Sequence, residues 1–245
     1  RQARALEAEL GRDFDARVSV AMRYWRPFTG EAIGEMRAFA PDDIVLLPLY
    51  PQYSKTTTGS SLKEWNRLYP ANGHNPRVHV VREFFEDGAY VDAVAGAVGA
   101  EMSAYTDPSA VDVVFSAHSV PVSVIEAGDP YQKQIERTVD LVWRRGGWPA
   151  RRHLCYQSKV GPSKWLRPMM REMLESLAAS GSKEVLMVPI SFVSDHVETL
   201  FEINIEHREI AERLGVTFRM VPGLNDQRQF IGALAGLVRS ALNRN

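Results

Sequence analysis

A single cysteine, Cys155, is all that this 245-residue sequence contains. One thiol excludes an intramolecular disulfide and any metal or cluster site built from several thiolates of this chain. No apolar run approaches the roughly 18 residues that a membrane span requires. Charge of one sign is not in excess either: 29 basic against 30 acidic residues leave a formal net charge of −1, so no nucleic-acid partner is expected. Repeats, low-complexity tracts and long linkers are lacking, which excludes a solenoid array or an extended disordered arm. What is present is ordinary globular composition, with 45% hydrophobic and 24% charged residues. That is enough chain for one large domain or two smaller ones. The opening Arg-Gln-Ala-Arg-Ala-Leu-Glu-Ala-Glu-Leu reads as a polar amphipathic helix rather than a signal peptide, and a reducing cytoplasmic setting is the expectation.

Short β-rich apolar runs alternate with longer helical patterns. Strands are expected at Arg17–Met22, Ile44–Leu49, Val78–Val81, Asp112–Ala117, His153–Gln157, Val185–Phe192 and Val216–Val221. Helices are expected near 2–11, 29–39, 59–69, 86–105, 130–145, 163–180, 195–214 and 226–243. Continuous apolar strands such as Val185–Ile190 suit a parallel sheet covered on both faces. The alternation argues for a doubly wound α/β architecture, with Tyr105–Ser109 as the crossing between two lobes. The division expected is 1–108, 109–224 and a C-terminal helix at 225–245 that could pack back on the first lobe.

Open α/β sheets bind ligands beyond the carboxyl ends of their strands. There the sequence places Arg23 and Tyr24, then Tyr50 to Ser54, then His118, Gln157 to Lys159, and Ser194 to His196. In the last region Asp195, Glu198, Glu202, Glu206 and Glu209 follow at steps of 3, 4, 4 and 3, one ridge if the segment is α-helical. Like charges at that spacing cost about 0.2–0.5 kcal/mol per pair, so the row calls for basic partners or a cation. Asp195 and Glu198 also read as an N-cap and capping box, and an ordinary solvated face remains open as an explanation. His118, in Phe-Ser-Ala-His-Ser-Val-Pro, is either a strand-end histidine bonded to backbone or a group able to take a proton or a divalent metal near neutral pH. Ser116 and Ser119 nearby admit a serine–histidine hydrolase, without the Gly-x-Ser-x-Gly elbow. Gln157-Ser158-Lys159-Val160-Gly161-Pro162 lacks the spacing of a phosphate loop. Thr56 to Ser61 reads as a helix entry whose amides could meet an anion. No role attaches to His74, His79, His153 or His207.

Taken together these segments resemble the ferrochelatases, enzymes that insert ferrous iron into a porphyrin to make haem. The matching blocks are Leu49-Tyr50-Pro51-Gln52-Tyr53-Ser54 with Thr57 to Ser61, Phe115 to Pro121, Gly128-Asp129-Pro130-Tyr131, Tyr156 to Pro162 with Trp165-Leu166, and Val188 to Leu200. The resemblance implies two Rossmann-like lobes with a porphyrin cleft between them. It implies His118 and Glu198 as catalytic residues and iron ligands facing each other across the macrocycle. It implies that Glu202 and Glu206 continue a carboxylate path on a helix widened to π geometry. Arg23, Tyr24, Tyr53, Trp165 and Phe192 are implied as porphyrin contacts, with Ser116, Asp195 and His196 in support. Protoporphyrin and ferrous iron are the implied substrates. A different tetrapyrrole such as coproporphyrin, or a non-catalytic porphyrin- or metal-binding protein, is the alternative.

No tightly bound cofactor is expected. Lys55 stands where a cysteine of an iron–sulfur cluster would fall, so no cluster is expected. The first residue is Arg1 and lies inside a helical pattern; by the resemblance, roughly the first quarter of the expected domain, with its opening strand and lip segment, is expected to lie upstream of the given sequence. Peripheral membrane contact is compatible with the poor solubility of porphyrin and haem, and the sequence assigns no oligomeric state.

Overall fold

A computed structural model describes residues 1–69 and 76–243; His74 lies outside them. The chain divides into two compact units, Arg1–Phe84 with Asn225–Asn245, and Phe85–Leu224. The lobe boundary expected near residue 108 thus falls inside the second unit, and the C-terminal segment belongs to the first.

In the first unit, α1 (Gln2–Leu10) buries Leu6 and Leu10, one helical turn apart, and packs on α9 (Arg228–Leu242). Arg239 of α9 reaches Asp13 with two nitrogens at 2.8 and 2.5 Å. Strands β1 (Asp43–Leu46) and β2 (Arg77–Val80) pair in parallel, Ile44 opposite Val78. Helices α2 (Thr29–Phe39) and α3 (Thr58–Leu68) accompany them, and Ile33, Ile44 and Trp65 form a small apolar cluster. The strand expected at Arg17–Met22 is not formed. The segment pairs with no strand among the described residues, makes only an isolated bridge from Met22 to Phe28, and leaves Val20 and Met22 exposed. Alternating β-branched residues need a neighbouring edge before they become a strand.

The second unit is built on a four-stranded parallel sheet in the order β4-β3-β5-β6. Its strands are β3 (Val111–His118), β4 (Arg151–Gln157), β5 (Glu184–Pro189) and β6 (Thr217–Met220). β3 lies between β4 and β5, with Ser116 opposite Cys155 and Pro189. The period-two alternation of a strand sends its residues to opposite faces. Val114, Met187 and Val185 join Met170, Leu174 and Leu177 of α7 (Met170–Ala179) and Ile203 and Ala211 further along the chain. Phe115 meets the Trp143 ring edge-on at 6.5 Å, on α6 (Tyr131–Gly146), which packs with α4 (Gly88–Met102). Both faces are covered, which explains the apolar runs Val113–Phe115 of β3 and Val185–Val188 of β5. Each large side chain buried this way contributes about 1.5–3 kcal/mol.

Two helical expectations shift. The helix expected at 163–180 begins only at Met170, because Pro168 has no N–H to give and disfavours helical geometry at Arg167. The segment 163–169 bridges instead from Trp165 to Pro121 and from Met169 to Tyr156. The helix expected at 195–214 starts at Glu198 as a π-helix, Glu198–His207, and continues as α8 (Arg208–Arg213). A short helix, α5 (Val122–Glu126), follows His118 and was not anticipated.

Candidate functional site

His118 is the last residue of β3, where the sheet ends and the chain must turn. Its backbone N–H donates to Ser191 Oγ at 3.0 Å, and its C=O accepts from the Tyr131 hydroxyl at 2.9 Å. Imidazole Nδ1 lies 2.8 Å from the Ser119 carbonyl oxygen. A carbonyl only accepts, so Nδ1 carries the hydrogen and the neutral ring keeps its lone pair on Nε2. That nitrogen lies 3.5 Å from Glu198 Oε2.

His196 repeats the device. Its Nδ1 donates to the Ser194 carbonyl at 3.1 Å, and its Nε2 stands 3.9 Å from Glu198 Oε1. The ring of Phe192 sits 4.5 Å from that of His196 and 6.3 Å from that of His118. One carboxylate therefore faces two imidazole lone pairs. Glu198 Oε2 is buried with no hydrogen-bond partner. Acceptors left facing each other in this way repel until a proton or a cation enters between them. A transition-metal ion held at about 2.1 Å from a nitrogen and an oxygen fits between two atoms at that separation.

The acidic ridge does not survive as one line. A π-helix bonds each residue to the fifth beyond it, so steps of three and four no longer stack as they do on an α-helix. Asp195 lies before the helix, and its Oδ1 accepts from Gly223 N–H at 2.9 Å instead of capping the segment. Gly223 is required there, since a Cβ would come within 2.7 Å of the Asp195 nitrogen. Thr199 Oγ1 accepts the His196 N–H at 3.0 Å, and the helix N-cap, Val197, makes no side-chain cap bond. Glu202 is held by Ser158, which donates N–H to Oε1 at 3.0 Å and Oγ–H to Oε2 at 2.6 Å. Ser158 adopts a left-handed backbone, φ 64°, at the end of β4. Glu206 and Glu209 are exposed. Among the described residues no three histidine, cysteine or acidic side chains converge on one metal position, so His118, Glu198, Glu202 and Glu206 do not make a single coordination shell.

Ser116 is fully buried and donates to Gln157 Oε1 at 2.7 Å. Gln157 Nε2, Tyr156 Oη and Trp165 Nε1 are buried without partners. Burial pushes the Tyr156 and Tyr131 phenols well above their usual range and the Cys155 thiol up to about 12. Cys155 is an inert core residue at that value.

The other porphyrin candidates belong to the first unit. Arg23 Nε donates to Ser60 Oγ at 3.0 Å, and its guanidinium lies 5.1 Å from the Tyr24 ring. Tyr24 is 77% exposed and its neighbour Trp25 76% exposed. Tyr53 is buried, with Arg82 over its ring at 4.1 Å, and offers a ligand little surface. Ser158, Tyr131 and Ser191 lie in the blocks that carry the family resemblance, but the long-range hydrogen bonds that tie them to the site leave no local pattern.

A family model described as Ferrochelatase matches residues 1–242. The chain belongs to the ferrochelatase family. Among curated relatives bearing that name, the one from Synechococcus sp. strain JA-3-3Ab is 44% identical over 98% of this chain and 72% of its own length. Those from Synechococcus sp. strain RCC307 and Geotalea daltonii are 46% and 45% identical, each over 98% of this chain, and this chain spans 64% and 74% of their lengths. Solved chelatase structures share the fold: SirB from Bacillus subtilis with Fe3+ gives a TM-score of 0.70 at 13% identity, covering 99% of this chain and 89% of that one. CbiX, described as the terminal enzyme of sirohaem biosynthesis in denitrifying bacteria, gives 0.62 at 16% identity, covering 99% and 93%. The family membership and the α/β fold with parallel sheets agree with the resemblance drawn from the sequence blocks.

Proposed function

We propose that this chain inserts ferrous iron into protoporphyrin IX, forming protohaem, the last step of haem biosynthesis. Membership of the ferrochelatase family supports the reaction class. The observation that carries the site is the His118 Nε2 lone pair set 3.5 Å from an unpartnered oxygen of Glu198.

Insertion replaces two pyrrole N–H hydrogens by one divalent ion, so two protons must leave as iron enters. His118 Nε2 accepts one, because its Nδ1–H is already committed to Ser119. Glu198 supplies an anionic oxygen whose affinity for a proton or for iron is not spent on another hydrogen bond. Both groups also qualify as iron ligands on the way to the ring. Glu202 and Glu206 extend oxygen donors along the same helix, with Glu202 restrained by Ser158. Within the second unit, Trp165 and Phe192 supply apolar contacts suited to a flat tetrapyrrole. A site that holds the ring bent, with its nitrogen lone pairs turned outward, lowers the barrier by resembling the transition state.

Iron and porphyrin are substrates in this reading, and no resident cofactor takes part. Cys155 alone cannot hold an iron–sulfur cluster, and by the resemblance Lys55 stands where a cluster cysteine would fall. No helix among the described residues is long and apolar enough to cross a membrane. Cytoplasmic residence with peripheral membrane contact belongs to the same reading, since both tetrapyrroles are poorly soluble, and vesicle co-sedimentation tests it.

The decisive experiment follows ferrous or zinc ion insertion into protoporphyrin by absorbance. His118→Ala should lower turnover by about 100-fold or more while fluorescence quenching still reports porphyrin binding. Near-normal turnover in that variant would remove His118 from the mechanism. Binding without turnover in the unaltered chain would favour a porphyrin carrier.

A further inference from the structure

Gly128-Asp129-Pro130-Tyr131 stands among the sequence blocks without a task, and the hydrogen bonds around His118 supply one. We infer that Tyr131 is a positioning residue that keeps the His118 proton on Nδ1; the inference rests on the reading of His118 as the proton acceptor of the site.

The motif delivers the phenol by local geometry. Gly128 turns the chain at φ 82°, a conformation open to glycine. Asp129 Oδ1 accepts the Tyr131 N–H at 3.0 Å, an Asx turn that starts α6. Tyr131 is then buried, and its hydroxyl donates to the His118 carbonyl. The N–H end of the same peptide unit, that of Ser119, donates to Gln157 O at 2.8 Å. The plane joining residues 118 and 119 is thus held at both ends, by Tyr131 on one side and β4 on the other. Ser119 Oγ–H donates in turn to Leu166 O at 3.3 Å, and Leu166 N–H to Val120 O at 3.2 Å, two bonds that flank the following peptide, between Ser119 and Val120.

That following peptide carries the Ser119 carbonyl, the acceptor for His118 Nδ1–H. The bond spans one residue, so it depends on the torsions of residues 118 and 119 and on little else. If the 118–119 plane swings, the Ser119 oxygen leaves Nδ1, and the hydrogen is free to move to Nε2. There it points at Glu198 Oε2, the nearest unpartnered acceptor. The open pair would become a closed hydrogen bond, and the lone pair needed for the pyrrole proton would be lost. A phenylalanine ring would fill the same space, so packing alone does not call for the hydroxyl.

The test uses the full chain labelled with 15N-histidine, reading the imidazole tautomer by two-bond 1H–15N correlation, beside zinc insertion kinetics. The unaltered chain should show His118 as the Nδ1–H form. Tyr131→Phe should populate the Nε2–H form to a comparable extent and lower kcat about 10-fold, with the KM for porphyrin changed less than about twofold. If Tyr131→Phe does not fold, 4-fluorophenylalanine at 131 keeps the shape without the donor, and 4-aminophenylalanine restores a donor and should restore the tautomer. A tautomer and kcat unaltered by loss of the hydroxyl would overturn the inference. An inactive but folded unaltered chain would overturn the function proposed above, and the tautomer measurement would still decide this point.

Discussion

Two imidazole–carboxylate pairs flank strand β3, one at each end, and they are built in opposite ways. At the foot, Asp112 is almost fully buried and is satisfied from every side. Arg151 donates to it with two nitrogens at 2.8 and 2.7 Å, and His153 Nε2 lies 2.7 Å away. Burial alone would raise the Asp112 carboxyl, but the Arg151, Ser182 and His153 contacts outweigh it and hold the group down at about 2. At the rim, His118 and Glu198 are about 40% exposed, stand 3.5 Å apart and share no hydrogen bond. The first unit repeats the closed form, with Asp43 bonded to Arg77 at 2.6 Å and to His79 at 2.8 Å. Pairing an acid with a histidine is therefore common in this chain. Leaving the pair open marks the site, because the protein forgoes a hydrogen bond there.

Closing the open pair should have the largest effect. Glu198→Gln offers an amide N–H to the His118 lone pair in place of a repelling oxygen. Iron or zinc insertion should fall by about 100-fold, while thermal stability is unchanged or rises by about 0.5–1 kcal/mol. A variant that is both active and unstable would reverse the contrast. Opening the closed pair should do the reverse. Asp112→Asn should lower stability by about 1–3 kcal/mol in denaturant titration with insertion near neutral pH changed less than about twofold.

The same residue gives a sign for acid. A carboxyl depressed from 3.8 to about 2 in the folded chain contributes stability above its unfolded pKa and loses it as pH falls through the folded one. The unaltered chain should shed about 2 kcal/mol between about pH 4 and pH 2 through this group. Asp112→Asn should flatten that limb, and an identical acid limb in the variant would place the dependence elsewhere. Ser158→Ala is the mildest change. It removes one of two donors to Glu202, costing about 0.5–1.5 kcal/mol, and should slow insertion only a few-fold. A loss as large as that of Glu198→Gln would make Glu202 an equal partner of the inner pair.

The parts legible in the sequence were those written in local pattern. β3 and β5 are readable because central strands covered on both faces carry apolar runs, Val113–Phe115 and Val185–Val188, and His118 because it ends β3. Arg17–Met22 had the same local signature but finds no neighbouring strand, and pairing is decided at long range. The start of α7 was misplaced because Pro168 overrides a helical pattern. The acidic ridge assumed α-helical steps; the π geometry came from family resemblance, not from spacing. The ties between Ser158 and Glu202, 44 residues apart, and between Tyr131 and His118, 13 apart, left no periodic trace.

Strand β3 itself has a practical meaning for anyone altering this protein. From Asp112 to His118 it extends about 20 Å, beyond the roughly 8 Å over which charge is felt in physiological salt. It acts as an insulating spacer. Acid tolerance can be engineered at one terminus of the strand without retuning the proton chemistry at the other.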